Sequence, residues 1–223
     1  MGMKPIAHVY NNFPEKFGLP RQSQLAPHLV SEIVMEEPYR VPEAFRGIEE
    51  YGYLWIIWEF EKTGNSEFSP TVRPPRFGGN KRVGVFATRS PNRPNPIGLT
   101  AVKLLGVDYT ADRGPVLRVA GADIRSGTPV YDIKPYLPYA DSYEDAACAL
   151  EAPPSLQVVW EAECPSSLSR EERMELEEAI SFDTRPAYRK EEKSSFGMSY
   201  GRYQVKFRVE EDTVYIESVI PQK

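Results

Sequence analysis

Short runs in which apolar and polar residues alternate, each bounded by turn residues, recur along the first two thirds of the chain. This alternation has the period of a β-strand with one buried face. Seven such runs predict a mainly β fold built on a closed or nearly closed sheet. The runs are Ile6 to Tyr10, Leu29 to Met35, Tyr53 to Phe60, Arg82 to Ala87, Leu99 to Val107, Pro115 to Ala120 and Pro129 to Ile133.

The pattern changes after Tyr143, where alanines and the Pro153-Pro154 pair interrupt the strand-like spacing. This break predicts a boundary near residue 150, with a β-barrel domain over 1–150 and a small α+β domain over 151–223. The second domain is expected to contain a strand, a helix and a closing hairpin. These are Leu156 to Glu161, a helix capped by Ser169 and Glu172 and running to about Ser181, and Tyr203 to Val209 with Thr213 to Ile220.

Composition limits the classes of function. Cys148 and Cys164 have no metal-binding spacing, and with only His8 and His28 besides there is no plausible zinc set, so we expect no metal. The longest apolar run, Leu54 to Trp58, is far too short to cross a bilayer, and no signal peptide precedes Ile6. We therefore expect a cytoplasmic protein with no membrane partner.

Charge is distributed unevenly. The chain has a formal net charge of -5, yet the stretch from Phe68 to Val107 contains seven basic residues and no Asp or Glu. Its prolines and glycines hold these cations on stiff turns, and rigidly placed guanidinium groups suit carboxylate or phosphate oxygens. The stretch predicts an anion-binding site. Gly78-Gly79-Asn80-Lys81 lacks the spacing of a phosphate-binding loop, so nucleotide triphosphate binding is rejected.

The run from Gly84 to Leu99, GVFATRSPNRPNPIGL, closely resembles the signature of the TrmO family, the TsaA-like β-barrel tRNA methyltransferases. Its neighbours match family motifs in the same order, so the resemblance spans nearly the whole chain. These neighbours are Lys16-Phe17-Gly18 with Pro20-Arg21-Gln22, Arg73 to Arg76 with Gly78-Gly79, Gly127 to Tyr136, and Asp183 to Arg189.

The resemblance implies a single-sheeted antiparallel barrel that binds S-adenosylmethionine, a small C-terminal domain and homodimerisation. It implies N6-methylation of threonylcarbamoyladenosine beside the anticodon of tRNA. Tyr53 and Glu61 stand where many members have histidine, and Glu61 could bind ribose hydroxyls or attract a sulfonium. The cofactor contacts that the resemblance implies are Pro20, Arg21, Gln22, Phe60, Glu61, Arg89, Leu99, Ser126, Gly127, Thr128 and Pro129.

Two of these positions have an alternative interpretation. Arg89 lies between a strand pattern and a proline-rich turn, so its side chain could be aimed into a cavity or could form an internal salt bridge. Ser126 to Pro129 is a turn that could bind a nucleoside edge through exposed N–H and C=O groups, or could simply connect a hairpin. Gly98 would let backbone approach closely.

Asp132, Lys134 and Tyr136 alternate, so on a strand they share one face. The implied reaction removes a proton from a carbamoylated exocyclic nitrogen that its neighbours already acidify. Asp132 as base and Lys134 as anion stabiliser would suffice, with Tyr136 completing the cluster. Tyr136, Tyr139 and Tyr143 could offer a stacking face for a splayed base. The alternative is a structural Asp132-Lys134 pair.

Two basic groups are candidates for binding RNA. Arg73, Arg76, Lys81 and Arg82 could lie along an RNA backbone or could form a solvated loop. Arg185, Tyr188 and Arg189 interleave cations with an aromatic ring, as single-stranded RNA binders do, or could form a packed seam between domains or subunits.

The sequence thus predicts a cytoplasmic, homodimeric, S-adenosylmethionine-dependent methyltransferase that binds the anticodon arm of tRNA. Two rival functions remain open. One is a non-catalytic barrel that binds RNA or a nucleoside, and the other is a methyltransferase for another small substrate.

Overall fold

The structure, a computed structural model, describes residues 2–61, 68–74, 81–185 and 194–222. The barrel strands are β1 (Ala7–Tyr10), β2 (Val30–Met35), β3 (Tyr53–Glu59), β6 (Ile97–Asp108), β7 (Val116–Ala120) and β8 (Pro129–Pro135). They form one closed sheet in the order β1-β2-β7-β6-β3-β8, in which β8 pairs back to β1. Every pairing is antiparallel, which confirms the predicted fold class.

The alternation read from the sequence sorts side chains between the two faces of the barrel. In β3, Leu54, Ile56 and Trp58 are buried in the lumen, whereas Tyr53 and Trp55 face outward. The lumen is filled by side chains of this kind from all six strands, as expected for a small barrel.

One predicted strand lies outside the barrel. Within Arg82 to Ala87, only Val83–Gly84 is extended; as β5 it pairs with β4 (Thr71–Val72) in a separate two-stranded ribbon. Val85–Ala87 then forms a 3-10 turn. Gly84 has no side chain to contribute to a core, and the Val85 N–H is taken by the Pro70 carbonyl, so this segment does not join the barrel.

The second domain is a four-stranded sheet with one helix. Its elements are β9 (Gln157–Trp160), α2 (Arg170–Ser181), β10 (Phe196–Tyr200), β11 (Tyr203–Glu210) and β12 (Thr213–Pro221), following a one-turn helix α1 (Pro138–Asp141). The sheet order is β10-β11-β12-β9, with β9 parallel to β12. The predicted capping box is present: Ser169 and Glu172 exchange bonds of 3.1 and 2.8 Å at the start of α2. Sequence reasoning missed β10, whose Gly197 and Ser199 weaken the strand pattern.

The core of the second domain takes in residues from the first. Phe13, Ala26 and Leu29, from the segment between β1 and β2, are buried with side chains of α2 and of the second sheet. We call this contact between residues 11–29 and the second domain the seam. The seam thus fixes residues 11–29, which leave the barrel after β1, to the second domain.

The seam buries an acid. Glu175 of α2 is 5% exposed, and its Oε1 has no hydrogen-bond partner among the described residues. Burial raises the pKa of Glu175 from 4.5 to about 8, although Asn12 and the Val30 backbone lower it. Burial also raises the pKa of the neighbouring Tyr200. At neutral pH the Glu175 carboxyl is therefore protonated and neutral.

This protonation makes stability depend on pH. Between pH 4.5 and about 8, folded Glu175 keeps a proton that the unfolded chain releases, so rising pH favours unfolding. We expect Glu175→Gln to remove this loss, raising the free energy of unfolding relative to wild type by roughly 3 to 5 kcal/mol at pH 8.5. The gain should be small at pH 5. Urea denaturation across this range measures it.

Glu171→Gln is the matched control, because Glu171 is exposed on the same helix. It should keep the wild-type pH slope. An unchanged slope in Glu175→Gln would contradict the assignment of a buried neutral acid.

Candidate functional site

The predicted cofactor residues meet at one end of the barrel. Strands β1, β3 and β7 end there and β2, β6 and β8 begin there, so the described residues of three connecting segments, 11–29, 60–96 and 121–128, share this end. We call this end the rim. Every predicted cofactor residue lies on one of these segments or within the first three residues of β6 or β8. Closure of the sheet thus collects residues spread over more than a hundred sequence positions.

Arg89 is the direct link between two of the segments. Its Nη1 donates to the Gln22 side-chain oxygen at 2.7 Å, and the guanidinium is exposed. Among the described residues no carboxylate lies within salt-bridge distance of Arg89, so the internal ion pair held open as an alternative is not formed. The guanidinium keeps donors available for an anionic ligand.

A hydrogen-bonded relay lies under the rim. The Trp58 indole N–H donates to Thr100 Oγ1 at 2.9 Å, and the Thr100 hydroxyl donates to Asp123 Oδ1 at 2.7 Å. Burial raises the pKa of Asp123, while the Thr100 bond and the positive charge of Arg89 lower it. Sequence reasoning missed these three residues, because Asp123 stands in no motif and its partner Thr100 is distant in the chain.

Glu61 is already paired in the structure. Its carboxylate lies 3.5 Å from Lys16 Nζ and 3.7 Å from an Arg125 guanidinium nitrogen. Two cations therefore compete for the carboxylate that was expected to meet ribose hydroxyls or a sulfonium. The preceding Phe60 packs on Trp58 at 4.2 Å between ring centroids, and its N–H is bonded to Pro96.

The Ser126 to Pro129 turn has the predicted geometry, with Gly127 at a left-handed φ of 82°. The backbone N–H groups of Ser126, Gly127 and Thr128 all bond to carbonyls of the protein, those of Phe13, Val9 and Arg125. The turn is therefore fixed against β1. Its amides are not open to a nucleoside edge, which leaves side chains and carbonyls as the groups it can offer.

Arg21 and Pro20 lie where the rim meets the seam. Pro20 is buried, whereas Arg21 reaches across the seam and donates to the Arg185 carbonyl at 2.7 Å. A cavity of about 390 Å³ adjoins this contact. Arg21, Gln22 and Leu25, residues 149–154 and residues 182–184 line the cavity.

Arg185 is buried in the seam and is not on a surface. The residue is 5% exposed, pairs with Asp183 at 2.7 Å and lies over the Phe196 ring at 5.7 Å. This is the packed-seam alternative that the sequence left open. A guanidinium so enclosed is not presented to RNA in this structure.

The predicted catalytic residues lie on the outer face of the barrel. Asp132 is level with Ile57 of β3, which is level with Leu99 of β6, so these three form one row across the strands. Strand spacing puts Asp132 about 10 Å from Leu99. Lys134 Nζ is 2.7 Å from Asp132 Oδ2, so the structural pair considered as an alternative is present.

Tyr136 is farther from the rim, about 13 Å along the strand from Asp132. Its ring packs between Tyr53 and Trp55, at 6.2 and 5.4 Å. Tyr139 and Tyr143 are exposed beyond it. Asp132, by contrast, lines a cavity of about 270 Å³ whose other walls are mostly apolar, including Tyr39 and Phe45. This cavity lies beside the connection between β2 and β3, at the end of the barrel opposite the rim, and none of the predicted cofactor residues line it. The structure thus brings Asp132, but not Tyr136, close to a concave surface that is separate from the rim.

The remaining basic candidates are dispersed. Arg73 and Lys81 are exposed beside the β4–β5 ribbon, and Arg82 donates to the Thr71 hydroxyl at 3.0 Å. Arg76, Tyr188 and Arg189 lie outside the described residues. Within the ranges that the structure describes, no helix is long and apolar enough to span a membrane, and no three His, Cys, Asp or Glu side chains cluster as metal ligands.

The fold is a closed antiparallel β-barrel in which the segments with the predicted cofactor residues converge at one end, and one of them packs against a small α+β domain. The chain matches the model of the tRNA-methyltransferase O N-terminal domain over residues 8–142 and that of the TrmO C-terminal domain over residues 153–222. It belongs to the TrmO family.

Individual relatives agree with this assignment. A tRNA (adenine(37)-N6)-methyltransferase of Escherichia coli (strain K12) is 40% identical over 213 residues, which cover 92% of this chain and 89% of the relative. A putative S-adenosylmethionine-dependent methyltransferase, RcsF, of Pseudomonas aeruginosa is 38% identical over 208 residues, 89% of this chain and 87% of the relative. The crystal structure of TrmO from Pseudomonas aeruginosa matches with a TM-score of 0.78 at 29% identity, covering 99% of this chain and 98% of that one.

Gly98 serves packing under the rim. A Cβ at this position would come within 2.2 Å of Trp58 Cε2, so the glycine makes room for the indole that begins the relay. Gly98→Ala should displace Trp58 and lower the free energy of unfolding by about 1 to 3 kcal/mol. Chemical denaturation followed by tryptophan fluorescence measures the change.

Gly84→Ala is the control, because a Cβ at Gly84 meets no atom within 4 Å. Its free energy of unfolding should stay within about 0.5 kcal/mol of wild type. Equal effects of the two substitutions would refute this role.

Proposed function

We propose that this protein is an S-adenosylmethionine-dependent tRNA methyltransferase that methylates N6 of adenine 37, with threonylcarbamoyladenosine as the substrate nucleoside. The observation that carries the proposal is the Arg89–Gln22 contact, which joins two predicted cofactor segments at the rim of a chain that belongs to the TrmO family. The relatives named above supply the reaction and the cofactor.

The residues at the rim fit S-adenosylmethionine. Arg89 is held by a neutral amide and not by a carboxylate, so its guanidinium can take the carboxylate of the methionyl group. Leu99 is 56% exposed on the outer face beside the rim and offers an apolar surface to the adenosine. When bound, the cofactor supplies a methyl group activated by a sulfonium, which leaves as a neutral thioether.

The protein's own contribution is alignment and one proton transfer. Segments fixed on both the barrel and the second domain hold the reacting groups in line, a source of rate that needs no covalent help. Asp132 lies on the outer face of the barrel about 10 Å from Leu99, where it can accept the N6 proton, and Lys134 stabilises the developing anion. Tyr136 supports this face from the ring cluster with Tyr53 and Trp55.

Cytoplasmic location, a homodimer and a domain division near residue 150 belong to the same proposal. The homodimer follows from the family resemblance, the location from the short apolar runs of the sequence, and the division from the change of pattern after Tyr143. Exposed aromatic residues, among them Tyr53 of β3, Tyr109 after β6 and Tyr139 of α1, supply surface for RNA or for a second subunit.

The direct test combines the protein with S-adenosylmethionine and tRNA that carries threonylcarbamoyladenosine at position 37. Wild type should transfer one methyl group to N6, detected by mass spectrometry of the nucleosides. Arg89→Ala should lose cofactor binding in calorimetry, and therefore methyl transfer, while its melting temperature stays near that of wild type, because Arg89 is exposed.

Arg113→Ala is the control for Arg89→Ala, since Arg113 is exposed on the connection between β6 and β7, at the end of the barrel opposite the rim, and pairs with Glu32, which is no predicted cofactor residue. It should bind cofactor normally. Binding of both ligands without transfer would indicate a non-catalytic barrel, and transfer to a small molecule independently of tRNA would indicate another substrate. Unchanged affinity in Arg89→Ala would refute the assignment of that residue.

Asp132→Asn separates catalysis from structure. If Asp132 accepts the N6 proton, kcat should fall by about 100-fold or more while cofactor affinity is unchanged. Lys134→Ala breaks the same ion pair but leaves the base in place, so its kcat should fall less. Rapid-quench measurement of methyl transfer reports the chemical step. Equal and small losses in both variants, with matching losses of stability, would favour a purely structural pair.

A further inference from the structure

A second carboxylate lies on the outer face of the barrel at the rim end of β3. Glu59 is the last residue of this strand and directly precedes Phe60 and Glu61, two of the predicted cofactor residues. In the pairing of β3 with β6, Glu59 is level with Ile97. Leu99 lies two positions along the same face of β6, about 7 to 8 Å from Glu59, as diagonal neighbours of an antiparallel pair do. The Glu59 carboxylate is thus next to the apolar surface that Leu99 offers to the adenosine.

A β-bulge brings Tyr131 of β8 to this carboxylate. The register of β3 and β8 shifts after Ile57, which is level with Asp132, so Tyr131 is an extra residue in its strand. Bulges of this kind redirect a side chain, and here both Tyr131 and Asp132 face outward. The Tyr131 hydroxyl donates to Glu59 Oε2 at 2.5 Å. This bond joins two strands that carry predicted cofactor residues, and it orients the carboxylate before any ligand arrives.

Only one oxygen of the Glu59 carboxylate is used by the protein. Among the residues that the structure describes, Tyr131 is its one hydrogen-bond partner, and no cation lies within salt-bridge distance of it. Glu61, the acid first expected to meet ribose hydroxyls, is paired with both Lys16 and Arg125. Of the two acids at this end of β3, Glu59 is therefore the one whose second oxygen can accept from a ligand hydroxyl.

We propose that Glu59 binds the ribose hydroxyls of the cofactor through Oε1, with Tyr131 as the positioning residue that orients it. This inference rests on the proposed function, because the ligand is S-adenosylmethionine. The adenine of the cofactor packs on the exposed side chain of Leu99, and the ribose attached to it then lies within reach of the neighbouring Glu59. Hydroxyl donors and an ionised carboxylate form strong, charge-assisted hydrogen bonds.

The sulfonium is the other group of the cofactor that a carboxylate could attract. Its positive charge is lost as the methyl group leaves, so a carboxylate beside it would stabilise the bound cofactor more than the transition state and would slow the transfer. The ribose hydroxyls keep the same charge throughout the reaction. A bond to them strengthens binding without opposing the chemistry, so Glu59 should act on KM for the cofactor and leave kcat at saturation nearly unchanged.

Analogues of the reaction product test the contact. Calorimetry compares S-adenosylhomocysteine with its 2′-deoxy and 3′-deoxy forms, each of which lacks one ribose hydroxyl. Wild type should bind at least one deoxy form about tenfold more weakly than the parent compound, because hydrogen bonds to charged groups contribute most. Glu59→Ala should bind the parent about tenfold more weakly than wild type does, and should bind the parent and that deoxy form within twofold of each other.

Glu32→Ala is the matched control. Glu32 is half-buried like Glu59 and faces outward on β2, the strand that lies across the closed sheet from β3. It should keep the wild-type affinities for all three compounds. Tyr131→Phe removes only the donor that orients Glu59, so it should weaken binding of the parent several-fold and reduce the preference for it. This variant also tests the inference if Glu59→Ala does not fold.

Three results would overturn the inference. Wild type could bind the parent and both deoxy forms equally, or Glu59→Ala could keep the wild-type preference for the parent. A large fall in kcat for Glu59→Ala with unchanged cofactor affinity would also contradict it, since Glu59 would then act in the proton transfer. Failure of the wild type to bind S-adenosylmethionine and S-adenosylhomocysteine would instead refute the proposed function itself.

Discussion

Closure of the barrel is the constraint on which the rest of the molecule depends. Pairing of β8 with β1 turns six short strands into a sheet without free edges, and it forces segments 11–29, 60–96 and 121–128 to one end. No single segment contains a complete binding site. Arg89 meets Gln22, and the Ser126 turn meets Phe13 and Val9, because the closed sheet brings the segments that carry these residues to the same end.

The cations at this end differ in how they are satisfied, and that difference decides their roles. Arg93 donates through Nη1 to the carbonyls of Val85 and Thr88, at 3.2 and 2.7 Å, and so stabilises its own loop. Arg125 and Lys16 share Glu61. Arg89 donates to the neutral side chain of Gln22 and pairs with no carboxylate among the described residues, so its guanidinium keeps donors for an anion. The number and clustering of basic residues in the sequence do not show which cation is available to an anion, whereas their hydrogen-bond and salt-bridge partners in the structure do.

Much of the fold could be predicted from the sequence, because alternation and capping are local signals. The period of two in β3 and the Ser169–Glu172 capping box both correspond directly to the structure. Where glycine removes the signal, prediction failed: β10 contains Gly197, and the run at Arg82 to Ala87 contains Gly84 and forms a ribbon and a turn.

The site was less predictable, for physical reasons of the same kind. The alternation correctly placed Asp132 and Lys134 on one face of the strand, because side chains two residues apart on a β-strand point to the same side. Burial of Arg185 and pairing of Glu61 depend on residues brought from elsewhere in the chain, and no local pattern encodes them. Asp123 is the clearest case. It is bonded to Thr100 of β6, which is bonded to Trp58 of β3, so this interaction forms only when the closed sheet brings the two strands together.

The second domain takes part in the site through the seam. Phe13, Phe17, Leu19, Ala26 and Leu29 pack in the core of that domain, while Gln22 bonds to Arg89 and Gln24 bonds to Gly121 and Ala101 of the barrel domain. Arg21 ties the same segment to the Arg185 carbonyl. The segment that carries Gln22 is thus held between the barrel and the core that it shares with the second domain. The small domain braces this segment and, through residues 182–184, also lines the cavity beside Arg21 and Gln22.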